Sequence, residues 1–355
     1  MKKILIISLL LAYSGLAISS EPENTNTASY QQLLLPGAND DQVQQGLALL
    51  TAAAKQKDPA AQFQLAQIYE QGKLIAADNK QALSWYSQSA DLGYTPAQLY
   101  LAQAYEEGTF VDKDPAKSLA WYLKAAQNGS AVAQTKMGNF YLKGTDGITP
   151  DSVTAATWFE KAANAGQTEA QYTLGLMYNQ GVGVDKNEDK SIQWLTQAAN
   201  HGDIKSQMLL AYNYHTGTGV SQDDTLAAGW YRKAALAGVP EAEYMMGYMY
   251  QNAMGVPEDD HEALDWFLKA ANQGNANAQL LLGVMYHEAK VIQRDDQLSY
   301  VWLNLAALSK DTKVRDLALK LKKELATTFS QQQIDAAQQL ANDYYQRIYG
   351  NNSND

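Results

Sequence analysis

Three oxygen-bearing side chains near the middle of the chain have the spacing of a calcium-binding loop. Asp185, Asn187 and Asp189 reproduce the opening D-x-N-x-D pattern of such a loop, in which these side chains coordinate the ion. The loop also requires a glycine in the next position and a glutamate at its end, where this chain has Lys190 and Thr196. We therefore predict no metal site in this segment.

The sequence also lacks the motifs of known catalytic sites. The chain contains no H-E-x-x-H, G-x-S-x-G, P-loop or dinucleotide-binding motif, and the glycines around Gly181 and Gly217 are not followed by a lysine and a hydroxyl residue. It has no cysteine, so a thiol nucleophile, a thiolate metal site and a disulfide are all excluded. We predict no catalytic residue and no cofactor.

Charge narrows the choice of partner. The chain has 38 acidic and 27 basic residues, which gives a net charge of -11. An acidic chain without a basic cluster is poorly suited to binding nucleic acid or an anionic membrane. We therefore predict no nucleic-acid partner and no binding to an anionic membrane, and the sequence leaves the oligomeric state open.

The tryptophans show how the chain is organised. They recur at spacings of 36, 37, 36, 36, 36 and 36 residues, and they are Trp85, Trp121, Trp158, Trp194, Trp230, Trp266 and Trp302. A rare residue at a fixed interval of this length indicates a structural repeat of the solenoid or propeller kind.

Each repeat has the pattern of two helices. In one copy, Ala170, Leu174, Met177 and Tyr178 share one helical face. Gly175, whose place is taken by alanine or glycine in the other copies, suggests close approach of a neighbouring helix. An aspartate or asparagine seven residues before each tryptophan predicts the start of a second helix. A glycine usually follows eight residues after the tryptophan and ends that helix.

This pattern, A-x-x-x-[LM]-[GA]-x-x-Y followed by W-[YFL] and A-A-x-x-G, resembles the Sel-one-like repeat, a relative of the tetratricopeptide repeat. The resemblance implies an all-α, right-handed superhelical solenoid of seven helix-pair repeats with N- and C-terminal capping helices. Related superhelical repeats bind their ligands with variable residues of the first helices, which line a concave groove.

The predicted groove residues come from two positions of the first helix. Two residues before the repeat tyrosine, amides in the first three copies (Gln67, Gln103, Asn139) give way to Leu176, Tyr212, Tyr248 and Val284. One residue after the tyrosine lies a polar rim that begins with Glu70 and Glu106 and continues in later copies. We predict that the site contains Leu176, Asn179, Tyr212, His215, Tyr248, Gln251 and His287.

Two further positions bear on this site. His215 and His287 occupy the same point of two repeats that are separated by a third, so we interpret them as part of a polar groove wall and not as metal ligands. The position two residues after the first alanine, which holds Phe63 and Tyr244, is apolar in all but one copy and fits packing as well as recognition.

The ends of the chain differ from the repeats. Residues 1–20, with Lys2, Lys3 and an apolar run, have the pattern of a cleaved secretory signal peptide, with an uncleaved anchor as the alternative. We predict a disordered linker at 21–29, a degenerate capping unit at 30–59, seven repeats over 60–310 and capping helices at 311–349. The first capping helix has one apolar stripe, formed by Val314, Leu317, Ala318, Leu321 and Leu325, and Ser330 with Gln333 predicts a capping box at the start of the second. A periplasmic or secreted location follows from the signal peptide.

The function expected from these features is that of an exported, non-enzymatic adaptor or scaffold that holds a protein or peptide in the groove. Related bacterial proteins suggest envelope assembly, regulation of cell-wall enzymes or contact with host cells. One alternative is a cell-envelope hydrolase of the β-lactamase-like kind associated with cysteine-rich relatives, although this chain has neither those cysteines nor a catalytic motif. A purely structural spacer is the other.

Overall fold

The computed structural model describes residues 30, 32–35, 37–145, 147–289 and 291–350, and the predicted signal peptide and linker lie outside this part. The chain divides into two compact units, residues 1–137 and 138–355. The first unit contains α1 (Asp40–Lys55), α2 (Pro59–Gln71), α3 (Asn79–Asp91), α4 (Thr95–Glu107), α5 (Pro115–Gln127) and the start of α6 (Ala131–Lys143).

The second unit contains the rest of α6 and eleven further helices. These are α7 (Ser152–Asn164), α8 (Thr168–Gln180), α9 (Glu188–Asn200), α10 (Ile204–Thr216), α11 (Asp224–Leu236), α12 (Pro240–Gln251), α13 (Asp260–Asn272), α14 (Ala276–Glu288), α15 (Asp296–Ala306), α16 (Thr312–Ala326) and α17 (Gln331–Tyr349). Residues 30–350, apart from the undescribed positions, contain no strand, only an isolated bridge between Thr145 and Ile148. The predicted all-α class with seven helix pairs is confirmed.

Each second helix begins at the predicted aspartate or asparagine. The side chain of this residue accepts a hydrogen bond from a backbone N–H in the first turn at all seven positions, namely Asp78, Asp114, Asp151, Asn187, Asp223, Asp259 and Asp295. Its own backbone N–H donates to the carbonyl of the repeat tyrosine, as from Asp223 to Tyr214 at 2.9 Å. One residue therefore caps the second helix and ties it to the first.

The residue after each tryptophan is buried more consistently than the tryptophan itself. Tyr86, Phe159, Leu195 and Phe267 have no exposed surface, whereas five of the seven tryptophans are only partly buried. In four repeats a lysine three residues further along the helix places its Nζ 3.8–4.4 Å from the centre of the indole ring, an attractive cation–π contact. Five of the seven tryptophans thus pack at the edge of the core, and the residues that follow the tryptophans fill its centre.

Close helix approach at the small position of the first helix is confirmed. A Cβ atom added to Gly175 would lie 2.8 Å from Cγ of Leu195, and one added to Gly247 would lie 2.7 Å from the ring of Phe267. These contacts are too short for carbon atoms, so the glycine allows the first helix to pack directly on the deepest residue of the second.

A buried glutamine joins six of the seven repeats to the second helix that precedes each of them. It follows the first alanine of the repeat, or Ser206 in the fifth repeat, and its Nε2 donates to a carbonyl eight residues earlier, at 2.9–3.1 Å. The pairs are Gln62–Ala54, Gln98–Ala90, Gln134–Ala126, Gln171–Ala163, Gln207–Ala199 and Gln279–Ala271. This glutamine position recurs at the repeat interval and was not among the predicted features.

The sixth repeat departs from this rule. Glu243 occupies the glutamine position, is 5% exposed and accepts a hydrogen bond from Nε2 of Gln273 at 2.7 Å. Burial raises the pKa of Glu243, although the hydrogen bond from Gln273 and the charge of Lys269 oppose this effect. An ionised carboxylate has no N–H to donate, so Ala235 cannot receive the side-chain hydrogen bond that its counterparts in the other repeats receive.

The terminal helices cover the repeats at the two ends. The last turns of α1 bury Leu50, Ala53 and Ala54 against the first repeat, so α1 acts as the second helix of a preceding pair. At the other end, Ala341 of α17 packs with Trp302. The predicted capping box of Ser330 and Gln333 is confirmed.

The C-terminal helices also depart from expectation at one residue. Val314 and Ala318 of the predicted stripe on α16 are buried against the last repeat, but Leu317 is 45% exposed. The buried stripe of α16 is therefore narrower than its apolar residues suggest.

The close contact at Gly175 gives the first prediction. Gly175→Ala should lower the free energy of unfolding by about 1–3 kcal/mol, because the new methyl group must displace Leu195. Gly229→Ala is the matched control, since Gly229 lies within α11 with no atom within 4 Å of an added Cβ, and it should stabilise the chain by about 0.5–1 kcal/mol. Urea unfolding measures both, and equal effects would contradict the packing argument.

The second prediction concerns Glu243. Glu243→Gln should raise the free energy of unfolding at pH 7 by about 1 kcal/mol, because the amide can donate to Ala235 as its counterparts do. A raised pKa means that the folded state binds the proton more tightly, so the wild type gains stability as the pH falls through that pKa. The difference between variant and wild type should therefore shrink between pH 7 and pH 4.5.

Glu241→Gln is the control for this experiment. Glu241 lies in the first turn of the same helix but is exposed, and its replacement should change stability by no more than a few tenths of a kcal/mol. If the stability difference for Glu243→Gln did not depend on pH, ionisation of Glu243 would not be its cause.

Candidate functional site

The predicted groove position two residues before the repeat tyrosine recurs on equivalent first helices of the second unit. Its side chain is not buried in any of these helices. We call the surface that carries Leu176, Tyr212, Tyr248 and Val284 the first-helix face. Tyr212 is 53% exposed, and the other three side chains are partly buried. Asn179 and Gln251, from the rim position, are also partly buried.

The two tyrosines of this face differ in their surroundings. Tyr248 lies beside Tyr244, with ring centres 6.4 Å apart, and Tyr244 in turn packs 6.0 Å from Phe267. Tyr244 therefore serves packing, the first of the two roles that its position allowed. Tyr212 lies near Tyr231, a buried residue of α11. Burial and then Tyr212 raise the pKa of Tyr231 to about 12, so the Tyr231 hydroxyl stays protonated at neutral pH. Tyr212 is the more accessible ring and Tyr248 is anchored.

The two predicted rim histidines contact the first turn of the following helix. Nδ1 of His215 lies 2.8 Å from Asp224, and Nδ1 of His287 lies 2.8 Å from Asp296. Burial raises the pKa of Asp296, but hydrogen bonds from Arg294 and His287 outweigh it, and the net pKa is lowered. Each histidine therefore links the two helices of its own repeat through the ring nitrogen that faces the aspartate.

Successive first helices also touch through their side chains. Nδ2 of Asn139 donates to Glu169 at 3.1 Å, and Nζ of Lys205 lies 5.9 Å from the ring centre of Tyr172. These contacts join residues of neighbouring repeats, so side chains from adjacent first helices form one surface within the second unit.

An aromatic cluster around a carboxylate lies in the first unit. The carboxylate of Glu70 accepts a hydrogen bond from the hydroxyl of Tyr86 at 2.7 Å and another from the hydroxyl of Tyr100. The Tyr86 and Tyr100 rings stack with their centres 4.3 Å apart, and Phe63 and Phe110 pack edge-on against Tyr86 at 5.4 and 5.9 Å. Four aromatic rings thus surround one partly buried acid.

The next repeat has the same acid with a different neighbour. The carboxylate of Glu106 accepts from the hydroxyl of Tyr122 at 2.7 Å and pairs with Nζ of Lys136 at 3.3 Å. Lys136 holds the place in its helix that Tyr100 holds in the preceding repeat, three residues after the first alanine. A cation in one repeat therefore replaces a tyrosine in the other.

The tyrosines of both clusters are hydroxyl donors at neutral pH. Burial, reinforced by the neighbouring Tyr100 and Glu70, raises the pKa of Tyr86 far above its ordinary value. Burial and then the hydrogen bonds to the glutamates raise the pKa of Tyr100 and Tyr122 in the same way. Glu70 and Glu106 are thus held by protonated phenols.

Sequence reasoning placed Glu70 only in a polar rim and left the role of Phe63 open. The missing information is that Tyr100, 30 residues along the chain, reaches back to the same carboxylate. A comparison of the residue three places after each first alanine would have separated Tyr100 from Lys136, but it could not have shown that either one meets the acid.

Two further features of the described residues concern metal binding and membranes. In the described ranges, no group of three or more histidine, aspartate or glutamate side chains is placed to hold a metal ion. The described helices include none that is long and apolar enough to cross a membrane.

The repeats match a known family along most of the chain. The family model of the Sel1 repeat matches residues 59–94, 95–130, 131–167, 168–203, 204–239, 240–275 and 276–311. No curated protein sequence matches this one.

Two solved structures are similar to the chain in both fold and sequence. One is c5321, described as a protective antigen present in uropathogenic Escherichia coli strains and displaying an SLR fold. It is 29% identical with a TM-score of 0.66, over 85% of this chain and 68% of that one. The other is a Sel1 repeat protein from Oxalobacter formigenes, 31% identical with a TM-score of 0.61, over 83% of this chain and 86% of that one.

Proposed function

The chain belongs to the Sel1 repeat family, and on that premise we propose that it is an exported, non-enzymatic adaptor or scaffold. Its first-helix face binds a protein or a peptide. The observation that carries this proposal is the exposure of Tyr212, an aromatic ring 53% open to solvent in the middle of α10, where Leu210 is buried and Tyr214 is partly buried.

The positions around Tyr212 support the same function. At this repeat position the chain changes from exposed or partly buried amides, such as Gln103 and Asn139, to Leu176, Tyr212 and Tyr248. The first-alanine position and the small position of the same helices stay buried, so the change leaves the packing positions of these helices intact. Tyrosine is enriched among the residues that dominate binding energy at protein interfaces, because it buries a large surface and keeps a polar hydroxyl.

The remaining predictions for the site and partner fit this face. Asn179, His215, Gln251 and His287 supply polar groups beside the aromatic residues, as the rim of an interface does. The net charge of -11 favours a partner with a basic surface and disfavours nucleic acid, since charge complementarity steers association.

Export is proposed from the first 20 residues, whose basic start and apolar run have the pattern of a signal peptide. One structural neighbour is described as a protective antigen, which accords with a location outside the cytoplasm. We propose a periplasmic or secreted protein with a role in envelope assembly, cell-wall enzyme regulation or contact with host cells.

The third prediction tests the binding face. Crosslinking in the native envelope with mass spectrometry identifies the partner, and its affinity is then measured with purified proteins. Replacing Tyr212 and Tyr248 together by alanine should weaken binding by about 2 kcal/mol, roughly 30-fold, because aromatic anchors are lost. Tyr345→Ala is the control, since Tyr345 is 41% exposed on α17, outside the repeats.

Circular dichroism and melting curves separate binding from folding in this test. Tyr248 contacts Tyr244, so a small loss of stability is expected, but the double variant should remain helical. If it stays folded and binds the partner as tightly as the wild type does, the first-helix face of the second unit is not the binding site.

The fourth prediction tests the absence of catalysis. Purified protein should not hydrolyse nitrocefin, a chromogenic β-lactam, above the rate in buffer. The hydrolase alternative has neither cysteines nor a catalytic motif to support it. Turnover that co-purifies with the protein and disappears on unfolding would contradict the non-enzymatic assignment.

A further inference from the structure

The first unit carries an acid without its cation. Glu70 and Glu106 occupy the same repeat position, and each accepts a hydrogen bond from the tyrosine that follows a tryptophan. Glu106 is also paired with Lys136, whereas Glu70 faces Tyr100 in the corresponding place. We propose that Glu70 and the rings around it receive a lysine or arginine side chain of a bound polypeptide.

The negative charge of Glu70 is held but not neutralised. Within the part of the chain that the structure describes, no lysine, arginine or histidine nitrogen lies within 4.0 Å of its carboxylate. Two phenol hydroxyls use one acceptor site on each oxygen, and a carboxylate has about four such sites. The remaining sites can accept hydrogen bonds from a cationic donor, which are stronger than those from a neutral one.

The second repeat shows that this environment accepts a cation. Nζ of Lys136 lies 3.3 and 3.4 Å from the two carboxylate oxygens of Glu106 and 5.6 Å from the ring centre of Tyr122. The chain therefore contains one copy of the complex that we propose, with its own lysine as the ligand. At Glu70 the corresponding cation must come from another molecule.

The aromatic rings around Glu70 add to the attraction for a cation. Phe63, Tyr100 and Phe110 are all partly exposed. The ring centre of Tyr100 lies 6.2 Å from that of Phe63 and 6.5 Å from that of Phe110. Ring faces attract ammonium and guanidinium groups by their quadrupole, an interaction that grows when the site is partly desolvated. An acid flanked by such rings selects a cationic side chain with an apolar stem over a small inorganic ion.

This inference rests on the proposed function in one respect only, namely that the ligand belongs to a partner polypeptide. It concerns the first unit, whereas the tyrosines of the first-helix face belong to the second, so the two can be tested apart. The net charge of -11 favours the approach of a basic segment, since surface potential raises the encounter rate with opposite charge.

The experiment uses amino-acid probes and the full-length protein with isotope-labelled tyrosine rings. N-acetyl-lysine methylamide and N-acetyl-arginine methylamide should shift the NMR signals of Tyr100 in a saturable way, and the uncharged N-acetyl-norleucine methylamide should not. Glu70→Gln should weaken binding of the lysine probe at least about tenfold, because a charge-assisted hydrogen bond is lost.

A reciprocal exchange between the two repeats is the sharper test. Tyr100→Lys places a lysine beside Glu70 in the way that Lys136 lies beside Glu106, so this internal cation should pair with Glu70 and abolish probe binding. Lys136→Tyr should have the opposite effect and create a second binding site at Glu106. Melting curves confirm that each variant is folded, and Glu70→Gln tests the proposal if Tyr100→Lys fails to fold.

The outcomes separate this inference from the proposed function. Equal shifts with the lysine and norleucine probes, or unchanged probe binding in folded Glu70→Gln, would overturn the inference. Even if the inference were overturned, the proposed function would still be supported if replacing Tyr212 and Tyr248 abolished binding of the natural partner. Conversely, selective binding of the lysine and arginine probes that is lost in Glu70→Gln supports the inference even if those tyrosines prove irrelevant.

Discussion

The structure depends on one buried hydrogen bond that is repeated between helix pairs. In six of the seven repeats, a glutamine near the start of the first helix donates its side-chain N–H to a carbonyl near the end of the preceding second helix, as Gln98 does to Ala90. The carbonyl of Ala90 also accepts the backbone N–H of Gly93 at 3.0 Å, so the amide uses the second acceptor site of an oxygen at the helix end. The side-chain hydrogen bond therefore links two helix pairs and favours one register of one repeat on the next.

Because this bond and the contact between Gly175 and Leu195 occur in equivalent forms along the chain, they determine which positions are free to vary. The residue two places before the repeat tyrosine is never buried, so it can be an amide in one repeat and Tyr212 in another. The residue after that tyrosine is used differently from repeat to repeat. At this position Glu70 accepts hydrogen bonds from tyrosine hydroxyls, whereas His215 contacts Asp224 at the start of the second helix.

Local features of the fold could be predicted from sequence and distant ones could not. The N-cap at Asp223 and the capping box at Ser330 depend on residues within one turn, and both predictions are confirmed. The rare and regular tryptophans reveal the repeat in the sequence, whereas Leu195 beside Trp194 is the more deeply buried residue. The pattern gives the spacing of the helices, but which of two adjacent apolar residues points inward depends on the rotation of the helix.

The candidate sites were predictable to a similar degree. The accessible ring of Tyr212 follows from its variable position, but the contact of Tyr248 with Tyr244 requires coordinates. The cluster around Glu70 was missed because its members lie 16 and 30 residues apart along the chain. Such contacts join a side chain to the next repeat, and no pattern within one repeat contains them.

A repeat protein offers an internal comparison that a single-copy fold lacks. Glu70 and Glu106 share a position, a tyrosine partner and a helix type, so the difference in their charge balance comes mainly from Tyr100 in one repeat and Lys136 in the next. A half-buried carboxylate is less stable without a cation. Because Tyr100 lies beside Glu70 where a lysine lies beside Glu106, the first unit supplies no cation to the carboxylate of Glu70. A partner can supply that cation. The same repeated frame that fixes the helices therefore allows one substitution to convert an internal ion pair into a binding site.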